Sequence, residues 1–383
     1  MMPTYAPPSV TFVRGQGTEL WDDQGRRYLD FLSGLAVTSL GHAHPVVAAA
    51  VAAQASTLLH VSNLFGNELA PRLTANIDRL LGGGGQVFLC NSGAEANECA
   101  IKLARRWGGH GRHGLVSAFG SFHGRTLATL TATGQPTKHE PFQPLPEGFR
   151  YAVWNDLDDV ARILDPTVVS AVLLEPLQGE GGVQPADVAF LQGVRRLCDE
   201  RGVLLMIDEI QTGLGRTGRW WGFEHAGIRP DVVTIAKALG NGMPIGACWA
   251  RADVAAAFSP GDHATTFGGQ PLACSAALAT LGVMEAEDIP ARAALAGTRL
   301  RAALDATPGV KETRGLGLLL AAEVEADVLE ANGGAKGVQQ ALLARGLVVN
   351  AVTPTALRFA PPLLVSDAEI DEAMGIMGEV LGG

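Results

Sequence analysis

The sequence predicts an α/β protein with a large, doubly wound, mostly parallel sheet and a second, smaller α+β part. At 383 residues, the chain is too long for one simple core. Between residues 46 and 275, short apolar runs alternate with longer helical patterns, as in parallel sheets covered on both faces. The pattern then becomes a mixture of helices, strands and turns. We therefore predict a large domain over 46–275 and a small domain formed by 1–45 and 276–383.

The elements follow in chain order. The segment TELWDDQGRRYLDF is typical of a hairpin that joins one of the two units, and HPVVAAAVAAQAS of an Ala-rich helix. Two helices, PARAALAGTRLRAALDA and DAEIDEAMGIMGEVLG, enclose the strands of the C-terminal part. The segment AEANECAIKLARRW predicts a helix after the first strand of the large sheet. The apolar runs predicted as strands of that sheet are QVFLC, GLVSAF, VSAVLLEP, GVLLMIDE, DVVTIAK and IGACWA.

Composition excludes several classes of function. The formal net charge is -10 and no Lys/Arg-rich run occurs, so nucleic acid is not expected as a partner. The five cysteines form no CxxC pair, which favours reduced thiols in a cytoplasmic protein. The start MMPTYAPPSVTF lacks the pattern of a signal peptide, and no apolar run is long enough to span a membrane. His42 and His44 have no accompanying zinc-like ligand set, so no metal is predicted.

Polar residues follow the predicted strands of the large sheet. In open α/β sheets, ligands bind beyond the carboxyl ends of the strands. We therefore expect one crevice to collect these polar groups. They are Asn91, Ser92, Gly93, His123, Gly124, Arg125, Glu175, Asp208, Glu209 and Lys237.

Two of these residues suggest a specific chemistry. Lys237, one of only five lysines, ends an apolar run and precedes a glycine-rich turn. Burial there would lower its pKa, and such a lysine can form a Schiff base with a carbonyl. Asp208 ends LLMID, and a buried carboxylate needs a cationic partner such as a protonated ring nitrogen. A surface lysine and a structural aspartate are the simpler readings of each residue alone.

Further motifs admit both simple and functional readings. CNSGAEAN predicts a strand, a turn and a helix start, where the N–H groups of Gly93 and Ala94 would suit a phosphate. An ordinary Ser-capped helix is the alternative. In SFHGRT, Phe122 could stack on a planar group and Arg125 could clamp a carboxylate. His123 is equally compatible with a core histidine.

Taken together, these motifs resemble those of the class III (subgroup II) aminotransferases of pyridoxal-phosphate fold type I, and particularly the acetylornithine branch. The resemblance covers nearly the whole chain. The matching segments are YLDFLSGLAVTSLGHAHP, HVSNLF, NSGAEAN, FHGRT, EPLQGEGG, DEIQTGLGRTG, AKALGNGMPIGA, TTFGGQPLAC and RFAPPL.

The resemblance implies pyridoxal 5'-phosphate as cofactor and assigns roles around it. Lys237 would be its covalent anchor and the proton carrier, and Asp208 the partner of its ring nitrogen. Gln211 would lie near the ring hydroxyl, and Phe122 would stack on the ring. Gly93 and Ala94 would bind the phosphate. Thr266 would reach the phosphate from the neighbouring subunit, which implies a homodimer with shared active sites.

The resemblance also implies the reaction. The δ-amino group of N2-acetylornithine would pass to 2-oxoglutarate, giving N-acetylglutamate 5-semialdehyde and glutamate, with ping-pong kinetics. Arg125 would hold the carboxylate of acetylornithine and Arg358 the α-carboxylate of glutamate. Glu180 would neutralise Arg358 while the amino donor is bound. This is a step of arginine biosynthesis.

Alternative activities share most of these motifs. Ornithine aminotransferases have a substrate-contacting tyrosine where this chain has Leu35, which favours an N-acylated donor. Thr38 and Ser39 stand where the acetylornithine branch often has Asn-Ala. Aminotransferases of lysine biosynthesis, succinylornithine and 4-aminobutyrate aminotransferases, and aminomutases remain alternatives. A dehydrogenase is disfavoured because no GxGxxG follows an early strand.

Overall fold

A computed structural model describes residues 2–382. The strands are β1 (Phe12–Gln16), β2 (Glu19–Asp22), β3 (Arg27–Asp30), β4 (Gly85–Cys90), β5 (Gly114–Ala118), β6 (Phe149–Ala152), β7 (Val169–Leu174), β8 (Leu177–Gln178), β9 (Gln184–Pro185), β10 (Leu204–Asp208), β11 (Val232–Ile235), β12 (Gly246–Arg251), β13 (Val310–Leu316), β14 (Leu319–Val324), β15 (Leu347–Val348), β16 (Asn350–Ala351) and β17 (Ala356–Phe359).

The helices alternate with these strands. They are α1 (Ser33–Ala36), α2 (Pro45–Ala55), α3 (Leu69–Leu80), α4 (Gly93–Gly108), α5 (Leu127–Ala132), α6 (Leu157–Ile163), α7 (Val188–Arg201), α8 (Ala252–Ala255), α9 (Pro271–Ala286), α10 (Ile289–Asp305), α11 (Ala326–Asn332), α12 (Ala335–Arg345) and α13 (Asp367–Leu381), with short 3₁₀ turns at Pro136–Lys138, Glu140–Phe142, Gly222–Ala226 and Lys237–Gly240. Within residues 2–382, no helix combines the length and apolarity needed to cross a bilayer.

The large sheet has seven strands in the order β4-β12-β11-β10-β7-β5-β6. Strand β12 is antiparallel to both of its neighbours, and the remaining pairs are parallel. Six strands therefore share one direction, which confirms the predicted mostly parallel sheet. Strands β7, β10 and β11 are buried along their whole length because helices cover both faces. The edge strand β6 was not predicted, since FRYA is short and only partly buried.

The ends of the chain form two smaller sheets. The predicted N-terminal hairpin is present as β2 and β3, and β3 pairs in parallel with the C-terminal strand β15. The other sheet has the order β13-β14-β17-β16 and is antiparallel throughout. The N- and C-terminal segments thus pair in one of these sheets. The division of the chain at 46–275 stays a prediction.

Element α1 is a single left-handed turn. Ser33, Gly34, Leu35 and Ala36 all have positive φ angles, of 52°, 60°, 72° and 62°. L-residues other than glycine lose about 1–2 kcal/mol each in this conformation. The carboxylate of Asp30 accepts the N–H groups of Leu32 and Ser33 at 3.0 and 2.8 Å and so fixes the entry to the turn. The turn therefore gives a defined position to the segment that follows it.

All five cysteines are buried and free. Their reduced state in the cell stays a prediction.

Candidate active site

One cavity of about 460 Å³ lies beyond the carboxyl ends of the strands of the large sheet. The residues after β4, β5, β7, β10 and β11 meet there because these strands run in one direction. Except for Glu209, every residue expected in the crevice lines it. The polar and glycine residues of the lining are Asn91, Ser92, Gly93, His123, Gly124, Arg125, Glu175, Glu180, Asp208, Gln211, Thr212, Lys237 and Gly242.

Lys237 projects into this cavity. It follows Ala236, the first residue after the end of β11. The φ angle of Lys237 is 43°, in the left-handed region. Such backbone strain in a residue other than glycine is common at functional positions. Burial, reinforced by the positive charge of Arg358, lowers the pKa of Lys237 to about 8, although the carboxylates of Glu180 and Asp208 act in the opposite direction. Near neutral pH a larger fraction of this amine is therefore unprotonated and nucleophilic than for an exposed lysine.

Asp208 ends β10 and is 3% exposed. Its Oδ2 atom lies 2.8 Å from Nδ1 of His123 and accepts the side-chain N–H of Asn97 at 2.8 Å. Its Oδ1 atom accepts the backbone N–H of Ile210 at 3.0 Å. A carboxylate can only accept here, so Nδ1 of His123 carries the proton. Three donors thus hold a buried negative charge at the cavity wall, where a cationic ring nitrogen would complete its pairing.

Asn97 is a neighbour of Asp208 that the sequence did not reveal, and His123 was expected in the crevice without a defined role. Asn97 is fully buried on α4, donates to the backbone oxygen of His123 at 2.8 Å, and accepts from the hydroxyl of Thr234 at 2.8 Å. A polar residue on the buried face of a predicted helix is the signal that could have identified it. His123 was interpreted equally well as a core histidine, and it is indeed buried, but against Asp208 rather than in apolar surroundings.

The N-terminus of α4 forms one end of the cavity. Ser92 caps the helix by accepting the N–H of Glu95 at 3.2 Å. The N–H groups of Gly93 and Ala94 have no acceptor among residues 2–382, and both residues line the cavity. A Cβ on Gly93 would lie 2.8 Å from the side chain of Ile210, so the close approach requires glycine. Free N–H groups at the start of a 16-residue helix fit a phosphate.

Phe122 and Gln211 both line the same cavity. The backbone N–H of Phe122 donates to Oε2 of Glu175 at 3.2 Å, which fixes the turn that carries its ring. Gln211 packs so tightly that a Cβ on Gly179 would fall 1.6 Å from its Oε1 atom. An aromatic ring, a buried carboxylate, an amide, free helix N–H groups and a lysine therefore surround one space, and this set fits pyridoxal phosphate.

Glu175 and Glu209 both end up buried but differ in position. Glu175 lines the cavity, and burial together with the charge of Asp208 raises its pKa well above the usual range. Glu209 was expected in the crevice, and that expectation is wrong. Its carboxylate turns away to accept from the N–H of Phe223 at 2.9 Å and the hydroxyl of Thr212 at 2.5 Å, because consecutive residues leave a strand end in opposite directions.

Arg358 lies on β17 and reaches the cavity from the small antiparallel sheet. It is 1% exposed, and its Nη1 atom donates to Oε1 of Glu180 at 2.5 Å and to Oε1 of Gln211 at 3.4 Å. Its Nε donates to Oδ1 of Asn350 at 3.0 Å. Its Nη2 atom is buried and has no partner among residues 2–382. Burial alone would raise the pKa of Glu180, but the charge and hydrogen bond of Arg358 lower it, so the acid is ionised near neutral pH.

Arg125 is the second arginine of the cavity and differs from Arg358 in its surroundings. It is exposed, it is not ion-paired among residues 2–382, and its guanidinium carbon lies 5.4 Å from the ring centre of Phe122. A cation near an aromatic ring is held weakly and can still bind a carboxylate.

Thr266 is exposed and lies outside the cavity of its own chain. The hydroxyl of its neighbour Thr265 accepts from the side chain of Asn91 at 3.2 Å, so the loop runs close to the helix start. His42, for which no metal was predicted, has its Nε2 atom 2.7 Å from Oδ2 of Asp30.

Known proteins share this architecture and sequence. The sequence profile of the family described as "Aminotransferase class-III" matches residues 1–381. The chain is 51% identical to the acetylornithine aminotransferase of Gloeobacter violaceus, over 98% of this chain and 94% of that protein.

Solved structures agree. The N-acetylornithine aminotransferase of Stenotrophomonas maltophilia superposes with a TM-score of 0.85 at 36% identity, covering 98% of this chain and 96% of the other. An ornithine aminotransferase of Toxoplasma gondii, in which pyridoxal phosphate partly occupies the active site, gives 0.93 at 35% identity, covering 99% and 91%. With its fold, its site and these relatives, the chain belongs to the class-III aminotransferases, a family of pyridoxal-phosphate enzymes of fold type I.

Proposed function

We propose that the chain transfers the δ-amino group of N2-acetylornithine to 2-oxoglutarate, as in arginine biosynthesis. The observation that carries the proposal is a pair of unequal arginines in one cavity. Arg125 forms no ion pair within the described residues, whereas Arg358 is neutralised by Glu180. A site with these two states can accept first a donor with one distal carboxylate and then a dicarboxylate.

The residues of the chain divide the chemistry between them. Bound pyridoxal phosphate supplies the electron sink of the reaction. Lys237 would hold the cofactor, and its free Nζ would take the proton from the substrate carbon that bears the amino group. Asp208, fixed by His123 and Asn97, keeps a proton on the ring nitrogen. The N–H groups of Gly93 and Ala94 bind the phosphate.

Glu180 and Arg358 exchange partners between the two half-reactions. While the amino donor is bound, Glu180 pairs with Arg358, because an unpaired buried guanidinium is costly. The carboxylate of 2-oxoglutarate then replaces Glu180 and also reaches Nη2, which has no hydrogen-bond partner in the part of the chain that the structure describes. Binding of the acceptor thus gains one hydrogen bond that the pair with Glu180 does not make.

The preference for an acylated donor rests on different evidence. Both acetylornithine and ornithine aminotransferases superpose on the chain, so the fold does not separate them. Relatives at 43–51% identity over nearly the whole chain carry the name acetylornithine aminotransferase. Leu35, in the left-handed turn, offers no hydroxyl to hold the free α-amino group of ornithine.

We also propose a cytoplasmic homodimer with shared active sites. A patch of exposed apolar side chains lies on the loop of Thr266 and on the segment 58–65, which contacts that loop because Asn63 donates to the backbone oxygens of Thr265 and Gly268 at 3.2 and 3.0 Å. Exposed apolar patches are typical of protein–protein interfaces. The residues of this patch are Leu58, Leu59, Leu64, Phe65 and Phe267. A second copy on this patch would bring its own Thr266 to the phosphate end of the cavity. Thr266→Ala is then expected to weaken cofactor binding, and a fully active monomer in sedimentation experiments would contradict the proposal.

The catalytic part is tested by Lys237→Ala. We expect no formation of semialdehyde or glutamate from N-acetylornithine and 2-oxoglutarate, with an unchanged circular dichroism spectrum. Lys311→Ala is the matched control, since Lys311 is exposed on β13. Normal turnover by Lys237→Ala would overturn the proposal.

A further inference from the structure

Arg216 is a buried cation without an acidic partner. It is 1% exposed, and no carboxylate among residues 2–382 forms an ion pair with it. Burial lowers its pKa to about 9, and the charge of Asp30 opposes this only in part. Burying an uncompensated charge is costly, so the hydrogen bonds of Arg216 are needed to offset part of that cost.

Its guanidinium joins three separate segments. Nη1 donates to the backbone oxygens of Leu318 at 3.0 Å and Pro361 at 2.6 Å, and Nη2 donates to the hydroxyl of Ser39 at 3.2 Å. The backbone oxygen of Arg216 also accepts the N–H of Leu318 at 3.0 Å. The backbones approach so closely that a Cβ on Gly317 would lie 2.3 Å from the carbonyl carbon of Thr217.

Two of these segments carry parts of the active site. Pro361 follows Arg358 by three residues, and Ser39 follows Val37, which lines the cavity, by two. Arg216 itself lies five residues after Gln211, which accepts from Arg358 at 3.4 Å. The loop with Gln211 therefore holds the segment of Arg358 at two points, once within the cavity and once behind it.

We propose that Arg216 is a positioning residue that places Arg358 for the acceptor 2-oxo acid. This inference rests on the proposed function. The donor uses Arg125, which lies on the loop after β5 and makes no contact with Arg216. Displacement of the Arg358 segment therefore weakens binding of the dicarboxylate and leaves binding of N-acetylornithine nearly unchanged.

The test separates the two half-reactions of the cofactor-loaded enzyme by rapid mixing and follows the absorbance of the cofactor. Arg216→Lys keeps the charge but not the planar fork that reaches three acceptors. We expect the half-saturating concentration of 2-oxoglutarate to rise about tenfold or more, and that of N-acetylornithine less than about threefold, with similar limiting rates. Arg216→Met, which loses all three hydrogen bonds, should show the larger rise.

Arg201→Lys is the matched control. Arg201 also donates to two backbone oxygens, of Ala161 and Leu164 at 2.7 and 2.5 Å, and these three residues lie outside the cavity lining. It should change neither half-reaction. Equal losses in both half-reactions of Arg216→Lys, or no change in either, would show a purely structural residue and overturn the inference.

A second measurement keeps this inference separate from the proposed function. Glutarate is a non-reacting dicarboxylate that needs Arg358 but no turnover. If the unmodified enzyme did not use N-acetylornithine, the proposed function would fail, yet Arg216→Lys should still bind glutarate about tenfold more weakly. Unchanged glutarate affinity in this variant would refute the positioning role whatever the donor is.

Discussion

Replacing Glu180 with glutamine separates the two states of Arg358. The carboxylate of Glu180 lies 2.5 Å from Nη1 of an arginine that is 1% exposed. Any substrate carboxylate must displace Glu180 before it can use that nitrogen. Glu180→Gln keeps the size of the side chain and removes its charge, so the incoming carboxylate no longer competes with an anion.

The expected magnitude follows from this one contact. A hydrogen bond to a charged group contributes about 1.5–3 kcal/mol, and about 1.4 kcal/mol corresponds to a tenfold change in affinity. Since Glu180 is one-third exposed, solvent screens part of the attraction and the lower end applies. Glutarate should therefore bind the variant about tenfold more tightly near neutral pH. The ligand-free variant should also melt at a lower temperature, because the buried Arg358 has lost the carboxylate that neutralises it.

The assay titrates the cofactor-loaded enzyme with glutarate and follows the absorbance of the cofactor. Glu323→Gln is the control, since Glu323 pairs with Arg314 at 2.8 Å outside the cavity. It should leave glutarate affinity unchanged. Weaker or equal binding of glutarate by Glu180→Gln would refute the exchange of partners at Arg358.

Three further predictions concern other parts of the cavity. Gly179→Ala should reduce kcat/KM by about tenfold or more in steady-state assays, since its Cβ would lie 1.6 Å from Oε1 of Gln211 and displace it. Asn97→Ala should lower the free energy of unfolding by about 1–3 kcal/mol in urea titrations and weaken cofactor retention on dialysis, because Asp208 loses a buried donor. Because burial lowers the pKa of Lys237 to about 8, the unfolded chain binds more protons above that pH. Relative to Lys237→Met, the cofactor-free enzyme should therefore gain stability as the pH rises from 8 to 10.5.

The main features of the fold could be predicted because apolar runs of strand length are strong signals. Strands such as β10 and β11 are buried on both faces, so their sequences are almost continuously apolar. Their parallel direction then places Asp208 and Lys237 at one edge. Strand β6 and the left-handed turn α1 were missed, because FRYA is only partly buried and α1 depends on contacts with Asp30 that no local pattern reveals.

The contacts around the site were less accessible to sequence reasoning. The role of His123 depends on a partner 85 residues away, and that of Arg216 on Pro361, 145 residues away. Glu209 is a residue for which the local sequence suggested a wrong position. Its position beside Asp208 suggested the crevice, but the alternation of side chains at a strand end turns it away.

The most direct test of the central claim is a competition between amino donors. Purified, cofactor-loaded enzyme receives 2-oxoglutarate together with N-acetylornithine, ornithine, succinylornithine or 4-aminobutyrate, and kcat/KM is compared. We predict a preference of about tenfold or more for N-acetylornithine over each of the others. An equal or greater kcat/KM for ornithine would contradict the assignment. Poor turnover of every donor, with the cofactor still bound through Lys237, would also contradict it and would point to a larger or carrier-linked substrate.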